Sequence, residues 1–325
     1  MDDKKNFLHF LSINGSGNHL IIDVMKNYNI SRISDDLDRL VALLILKKKK
    51  IYYAVLDDTD HQNLEEYLKF LFAKNNSKIK LKNLSDQEII IKFIELFSKN
   101  KNCFLIHTPG YLIFEQKILS KNNFINFNEE MILEANDLLD SSLSKIGYTR
   151  EKIAVIRNPI DIYLSQKERY KKFNDDETCD RINSYFLKIS NDDNIKKIFY
   201  ENINKLYDLI ENFKIKKKEN FQKILYQPQV NKYLYYLNLD LKKLMKIFER
   251  NLGYFKYTNL PKPSFYQFIK YNILRVYKDT KLVYLIYMKN YNFKGRYNHS
   301  NINILTRLLT KLLKLIKKIN FFYKS

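Results

Sequence analysis

Apolar residues along the chain fall into two rhythms. Short runs rich in β-branched and aromatic residues read as buried strands, and longer stretches with apolar positions three or four apart read as helices. Phe7–Ile13, FLHFLSI, is the first such run; the flexible Asn14-Gly15-Ser16-Gly17-Asn18 and a helical pattern over His19–Tyr28 follow it. Asp35–Leu46 reads as an apolar helix with acids at its start, and Lys47–Lys50 as a basic turn. Ile51–Leu56 and Asn102–His107 read as the second and third strands. Leu64–Ala73, Asp86–Lys99 and Glu129–Ile146 carry the stripe of amphipathic helices. Ile153–Ile156 is unbroken Ile-Ala-Val-Ile, the pattern of a strand covered on both faces. Beyond it, Glu177–Ile189 and Asp193–Phe213 read as helices, Phe221–Tyr226 as a strand, and Leu241–Leu252 as a helix stopped by Gly253. The alternation predicts an α/β chain with a parallel sheet flanked by helices on both faces. No internal repeat or linker interrupts it, so residues 1–325 are expected to form one domain.

The densest polar chemistry follows the Ile153–Ile156 run. Arg157 comes first, and Asn158-Pro159 then signals a helix start, because proline at the first helical position gives up a donor the helix would not use. Asp161 falls in the first turn, where the helix dipole favours a carboxylate. Ser165 lies about two turns beyond Arg157. A strand, a fixed cation, a helix N-terminus and a later hydroxyl can together hold an anion. An ordinary strand-to-helix junction with a surface arginine fits the same residues. The glycine loop at 14–18 offers backbone N–H groups to a phosphate, or is simply a tight turn between strand and helix. No Lys-Ser/Thr follows its glycines, so it is not a P-loop, which argues against a kinase. His107 ends the third strand, on the side where an open parallel sheet keeps its ligand crevice. Asp57, Asp58, Asp60 and His61 read as a polar loop capping the next helix rather than as a metal site.

Arg157-Asn158-Pro159, Asp161 and Ser165 resemble, in residue and spacing, the 3′-phosphate-binding segment of sulfotransferases that use 3′-phosphoadenosine 5′-phosphosulfate (PAPS). Ser16-Gly17-Asn18-His19 resembles that family's 5′-phosphosulfate loop in its Pro-Arg/Lys-Ser-Gly-Asn-His form, with Asn14 and Gly15 in place of the Pro and the basic residue. His107 matches the catalytic histidine of a Lys-Thr-His pattern in which Leu105 replaces the lysine. Tyr226 matches the tyrosine of a strand that ends in Arg-Tyr-Glu-Asp. Lys294-Gly295 resembles the late Arg-Lys-Gly loop, with Phe293 for the arginine, and Arg296 and His299 stand nearby. The resemblance covers most of residues 5–300 and implies a P-loop-like sulfotransferase fold. It implies transfer of a sulfuryl group from PAPS to an acceptor hydroxyl or amine, without a metal. Arg157 and Ser165 would hold the 3′-phosphate and residues 16–19 the 5′-phosphosulfate, with His107 as general base. Lys294 or Arg296 would supply a missing cation. The acceptor is not legible in the residues; carbohydrate or a lipid-linked glycan is the working assumption. The alternatives are another nucleotide-dependent transferase or kinase, or a non-catalytic nucleotide-binding relative.

Composition changes this picture little. The 45% hydrophobic and 14% aromatic content suffices for a large core. The net charge of +21 points to anionic partners. The excess of Lys, Asn, Ile, Tyr and Phe with little Gly or Pro is also what an AT-rich coding sequence gives, so no nucleic-acid partner is expected. Cys103 and Cys179 make no metal motif or disulfide framework, which suits a reducing cytoplasm. No apolar run approaches the ~20 residues of a membrane span, and MDDKKNFLHF is expected to be a strand rather than a signal peptide. Residues 301–324 carry a continuous apolar stripe with basic residues and no acid. That pattern predicts a C-terminal helix packed on its own domain, with peripheral contact to an anionic membrane as the minority alternative. The oligomeric state is not legible.

Overall fold

The computed structural model of the protein describes residues 5–13, 17–50, 64–74, 83–106, 117–119, 124–126, 128–169, 175–224 and 241–255. These residues belong to two compact units, one within Met1–Arg157 and Ser184–Tyr226, the other within Asn158–Asn183 and Gln227–Ser325.

A five-stranded parallel sheet forms the centre of the first unit. Its strands are β1 (Lys5–Leu11), β2 (Ser31–Arg32), β3 (Cys103–Ile106), β6 (Tyr148–Ile156) and β7 (Lys196–Phe199), in the order β2-β3-β1-β6-β7. Every neighbouring pair is parallel. A separate antiparallel pair joins β4 (Lys117–Leu119) to β5 (Phe124–Asn126).

Side chains alternate across a strand, and the strands divide their apolar residues between two cores accordingly. Phe7, Cys103 and Leu105 face one core, completed by α2 (Asp36–Lys48), α3 (Leu64–Lys74), α4 (Asp86–Glu95) and α5 (Glu129–Lys145). Leu8, Phe10, Phe104, Ile106, Ile153 and Val155 face the other, completed by α1 (Asn18–Met25) and α8 (Asn204–Asn212). The sheet is thus covered by helices on both faces, which is why β1, β3 and the end of β6 bury apolar residues on both sides. Helix α2 is buried on nearly every side from Leu37 to Leu46, as a helix apolar all round must be. Capping sets several helix starts. At α4, Ser85 accepts from the Glu88 N–H while the Glu88 carboxylate accepts from the Ser85 N–H, a reciprocal pair that satisfies two otherwise orphaned donors. At α5, Asn128 accepts from the Met131 N–H at 2.9 Å.

The described part of the second unit comprises α6 (Pro159–Arg169), the start of α7 (Asp175–Asn191), α9 (Leu241–Ile247) and α10 (Glu249–Tyr254). Tyr163 meets the Phe248 ring edge-on, and Asn183 bonds both the Ile247 carbonyl and Asn251.

Three sequence expectations are corrected. Asp193–Phe213 is not one helix: Lys196–Phe199 pairs with Ile153–Ile156 as an edge strand, Tyr200–Asn202 forms a 3₁₀ turn, and α8 starts at Asn204. Only Ile198 of that strand is buried, so its pattern is too short to oppose the helical spacing around it, and tertiary pairing decides the outcome. The described part of the expected strand at 221–226, Phe221–Ile224, is irregular. Its two apolar residues pack on the second core, and the Ile224 N–H donates to the Tyr207 hydroxyl at 2.7 Å. Leu241–Leu252 breaks at Phe248 into two helices, and Gly253 lies inside the second. The strand expected at Ile51–Leu56, the loop at 57–61 and the helix expected at 301–324 lie outside the described residues. Among the described residues, no helix is long and apolar enough to cross a membrane.

Candidate functional site

In a parallel sheet the register of two strands dictates which residues meet where they end. Ile156 of β6 pairs with Phe199 of β7, so the next residues, Arg157 and Tyr200, emerge side by side at the carboxyl edge. The Arg157 guanidinium lies over the Tyr200 ring, 5.0 Å from its centroid, and the arginine is only 6% exposed. Such a cation–π contact fixes the position of the guanidinium at the sheet edge.

The same ring touches the start of α1. Gly17 precedes that helix with φ of +119°, a conformation that side chains with a Cβ rarely adopt. A Cβ there would also stand 2.7 Å from Tyr200 Cε2 and 3.8 Å from Val155 Cγ1. Both constraints require glycine. The Ile21 N–H donates to the Gly17 carbonyl, and the first turn of α1 holds no acid. The positive end of its dipole is therefore not offset locally. Asn18 and His19 follow in that first turn, with His19 exposed. Tyr200 thus joins two features read separately in the sequence, the glycine loop and Arg157. It was not singled out there, because nothing local marks it.

The remaining sequence-predicted residues divide by position. Asn158 and Asp161 do what the turn signal implies: the Ile160 N–H donates to Asn158 Oδ1 at 2.9 Å, and Asp161 occupies the first turn of α6. Ser165 lies on α6, which belongs to the second unit. Leu105 is fully buried in the first core, so no cation enters a site from that position. Ser16, His107, Tyr226, Lys294, Gly295 and Arg296 lie outside the described residues, as do Asn14, Gly15, Phe293 and His299. Among the described residues, no group of three or more His, Cys, Asp or Glu is arranged to hold a metal ion.

Two ionisable clusters were not foreseen. In the first unit, His9 and Asp38 are almost completely buried, with His9 Nε2 3.7 Å from Asp38 Oδ1. Arg150 donates to His9 Nδ1 through Nε at 3.0 Å and approaches it through Nη2 at 2.7 Å. Its Nη1 donates to Asn136 at 2.9 Å and to Asp140 at 3.1 Å. In the second unit, Tyr163 donates to Asp175 at 2.5 Å, and Lys167 reaches both. Burial alone would raise the Asp175 carboxyl, but the hydrogen bonds from Tyr163 and Lys167 outweigh it and hold that carboxyl below its usual range. In the first cluster His9 Nε2 and Asp38 Oδ1 are buried and face each other beyond hydrogen-bond distance. No family model matches the chain, and no curated protein matches it.

Proposed function

We propose that this protein transfers a sulfuryl group from PAPS to an acceptor hydroxyl or amine. The observation that carries the reading is the meeting of Arg157, Tyr200 and Gly17 at the carboxyl edge of the sheet. A nearly buried arginine beside a helix N-terminus with no acid in its first turn is suited to a ligand with more than one anionic group. The residues after β7, Tyr200-Glu201, have the Tyr-Glu order of the family's Arg-Tyr-Glu-Asp motif, so Tyr200 stands as a candidate for that role beside Tyr226.

In this reading Arg157 grips the 3′-phosphate, with Ser165 as its expected partner, and residues 16–19 bind the 5′-phosphosulfate through backbone N–H groups. When bound, PAPS supplies an activated sulfuryl group. His107 takes the proton from the acceptor, and Lys294 or Arg296 supplies positive charge near the leaving group. Positioning and charge stabilisation do most of the work in such transfers. The acceptor is taken to be a carbohydrate or lipid-linked glycan. One observation favours a second reading: Leu105, buried in the core, leaves no cation where the family has its lysine. A nucleotide-binding relative without turnover would have that composition.

Calorimetric titration of Arg157→Ala decides between phosphate grip and structural arginine. Loss of a charged hydrogen bond worth about 1.5–3 kcal/mol should weaken adenosine 3′,5′-bisphosphate roughly 10- to 150-fold and leave AMP nearly unchanged. Equal weakening of both ligands would remove Arg157 from the 3′-phosphate. His107→Ala, assayed for sulfuryl transfer, should lose about 10²–10⁴-fold in rate with bisphosphate binding intact. Bisphosphate binding by the wild type without any turnover would favour the second reading.

A further inference from the structure

At the opposite end of the sheet, beside β2, lies a cavity of about 500 Å³, within the range of ordinary small-molecule pockets. Three cations stand around it, Arg32, Lys74 and Lys99, and no acid lines it. Lys74 is engaged with Asp36 at 2.9 Å. Arg32 and Lys99 are exposed, and neither has an acidic partner among the described residues. The remaining wall has an apolar component in Ile30, Leu96 and Phe97, of which Ile30 is buried and the other two half-buried. The cavity is built rather than incidental: the Asn100 N–H donates to Ser31 Oγ at 2.8 Å and the Ser31 N–H to the Asn102 carbonyl at 2.9 Å, which fixes the loop before β3 against β2.

This cavity is distinct from the Arg157 site. Arg32 is level with Phe104, Phe104 with Leu8, and Leu8 with Glu151. Arg157 follows six residues after Glu151 and three strands across. The separation is roughly 20 Å along the strands and about 14 Å across them.

We propose that this cavity is a second binding site, for a phosphate or sulfate monoester with an apolar body. Two cations without acidic partners meet the doubly or singly charged head, and Ile30, Leu96 and Phe97 take the organic group. A bare inorganic anion would satisfy only the first half of that lining. The site does not depend on the sulfuryl-transfer reading.

The test is titration calorimetry at low salt with phenyl phosphate, phenyl sulfate and inorganic phosphate. The proteins are the wild type, the double variant Arg32→Gln with Lys99→Gln, the single variant Lys99→Glu, and Lys48→Gln as an exposed control outside the cavity. The expected result is that at least one aryl ester binds the wild type more tightly than inorganic phosphate does. The double variant should bind about 10- to 100-fold more weakly, and Lys99→Glu should weaken binding as well. Lys48→Gln should bind like the wild type. The two aryl esters together tell a phosphate-preferring from a sulfate-preferring head. Inorganic phosphate binding as tightly as both esters would overturn the ligand class. Absence of ester binding at millimolar concentration, or equal weakening by Lys48→Gln, would overturn the site. Failure of adenosine 3′,5′-bisphosphate, titrated alongside, to bind the wild type while an aryl ester binds would count against the Arg157 site alone.

Discussion

Strand β6 carries one arginine inside it and another immediately beyond its end, and their described contacts differ. Arg150 sends its donors to His9, Asn136 and Asp140. Arg157 lies over the Tyr200 ring. The Arg150 side chain is 4% exposed and the Arg157 residue 6%, so burial alone does not separate a structural cation from the one proposed to serve a ligand. The described contacts differ in kind and place: Arg150 is held by hydrogen bonds inside the first unit, whereas Arg157 lies over a ring at the carboxyl edge, where two strand ends and a helix start meet. A cation–π contact is compatible with further in-plane hydrogen bonds of the same guanidinium.

The largest effect that could break this contrast is at Arg150. Arg150→Met removes the donors to His9, Asn136 and Asp140 and leaves His9 Nδ1 buried without its charged partner. Breaking one side of a buried charged network typically costs about 3–5 kcal/mol, read by urea denaturation. Bisphosphate affinity of the folded variant should not change. Wild-type stability in this variant would mean that Arg150 is as dispensable to the fold as Arg157 is expected to be.

Gly17→Ala should act next most strongly. The left-handed backbone and the 2.7 Å approach to Tyr200 should together cost about 1–3 kcal/mol. Adding Tyr200→Ala relieves the clash but not the backbone, so the double variant should recover only part of the loss in a thermal melt. Full recovery would show that the left-handed backbone carries no cost.

Tyr200 itself sharpens the comparison at the Arg157 end. Tyr200→Ala removes the ring under the guanidinium and should weaken bisphosphate binding roughly 2- to 30-fold, the range of a cation–π contact. Tyr200→Phe keeps the ring and should bind like the wild type. A large loss in the Phe variant would mean that the hydroxyl, rather than the ring face, does the work.

The smallest signal comes from Cys103, on the same sheet face as Phe7. Burial pushes its thiol up to about 11, against a weaker opposing pull from the Tyr148 hydroxyl. The thiolate is therefore scarce at neutral pH and becomes available only as pH rises toward that value. Labelling of folded wild-type Cys103 by a disulfide reagent at pH 8 should be slow. In Arg150→Met it should quicken, because local opening is easier, while in Arg157→Ala it should not. Fast labelling in all three proteins would show that this face opens without reference to Arg150.

The junction at Arg157 was legible in the sequence because each of its residues obeys a local rule. Ile153–Ile156 reads as a doubly covered strand, Pro159 as a helix start, and Asn158 as the cap whose side chain accepts from Ile160. The alternation of strands and helices likewise announced the parallel sheet. Tyr200 was hidden for the opposite reason. Its partners, Gly17 and Arg157, are remote in sequence, and its strand, Lys196–Phe199, has one buried residue. The network of His9, Asp38 and Arg150 was equally silent. His9 sits in an apolar strand, and Asp38 looks like any acid that favours a helix N-terminus. The two-residue strand β2 is too short to hold any pattern. Contacts made across the sheet leave no trace in one-dimensional spacing.

The central place of β1 has a consequence for biosynthesis. Phe7 pairs with Cys103 on one side and with Arg150 on the other. A ribosome adding about 5–20 residues per second makes β1 wait on the order of ten seconds for β6 to emerge. Throughout that interval Phe7, Leu8, Phe10 and Leu11, all buried in the finished protein, have only one of their two neighbouring strands, and at first neither. Nascent chains of this protein should therefore engage a holding chaperone through β1 and be released only after the residues of β6 have left the exit tunnel.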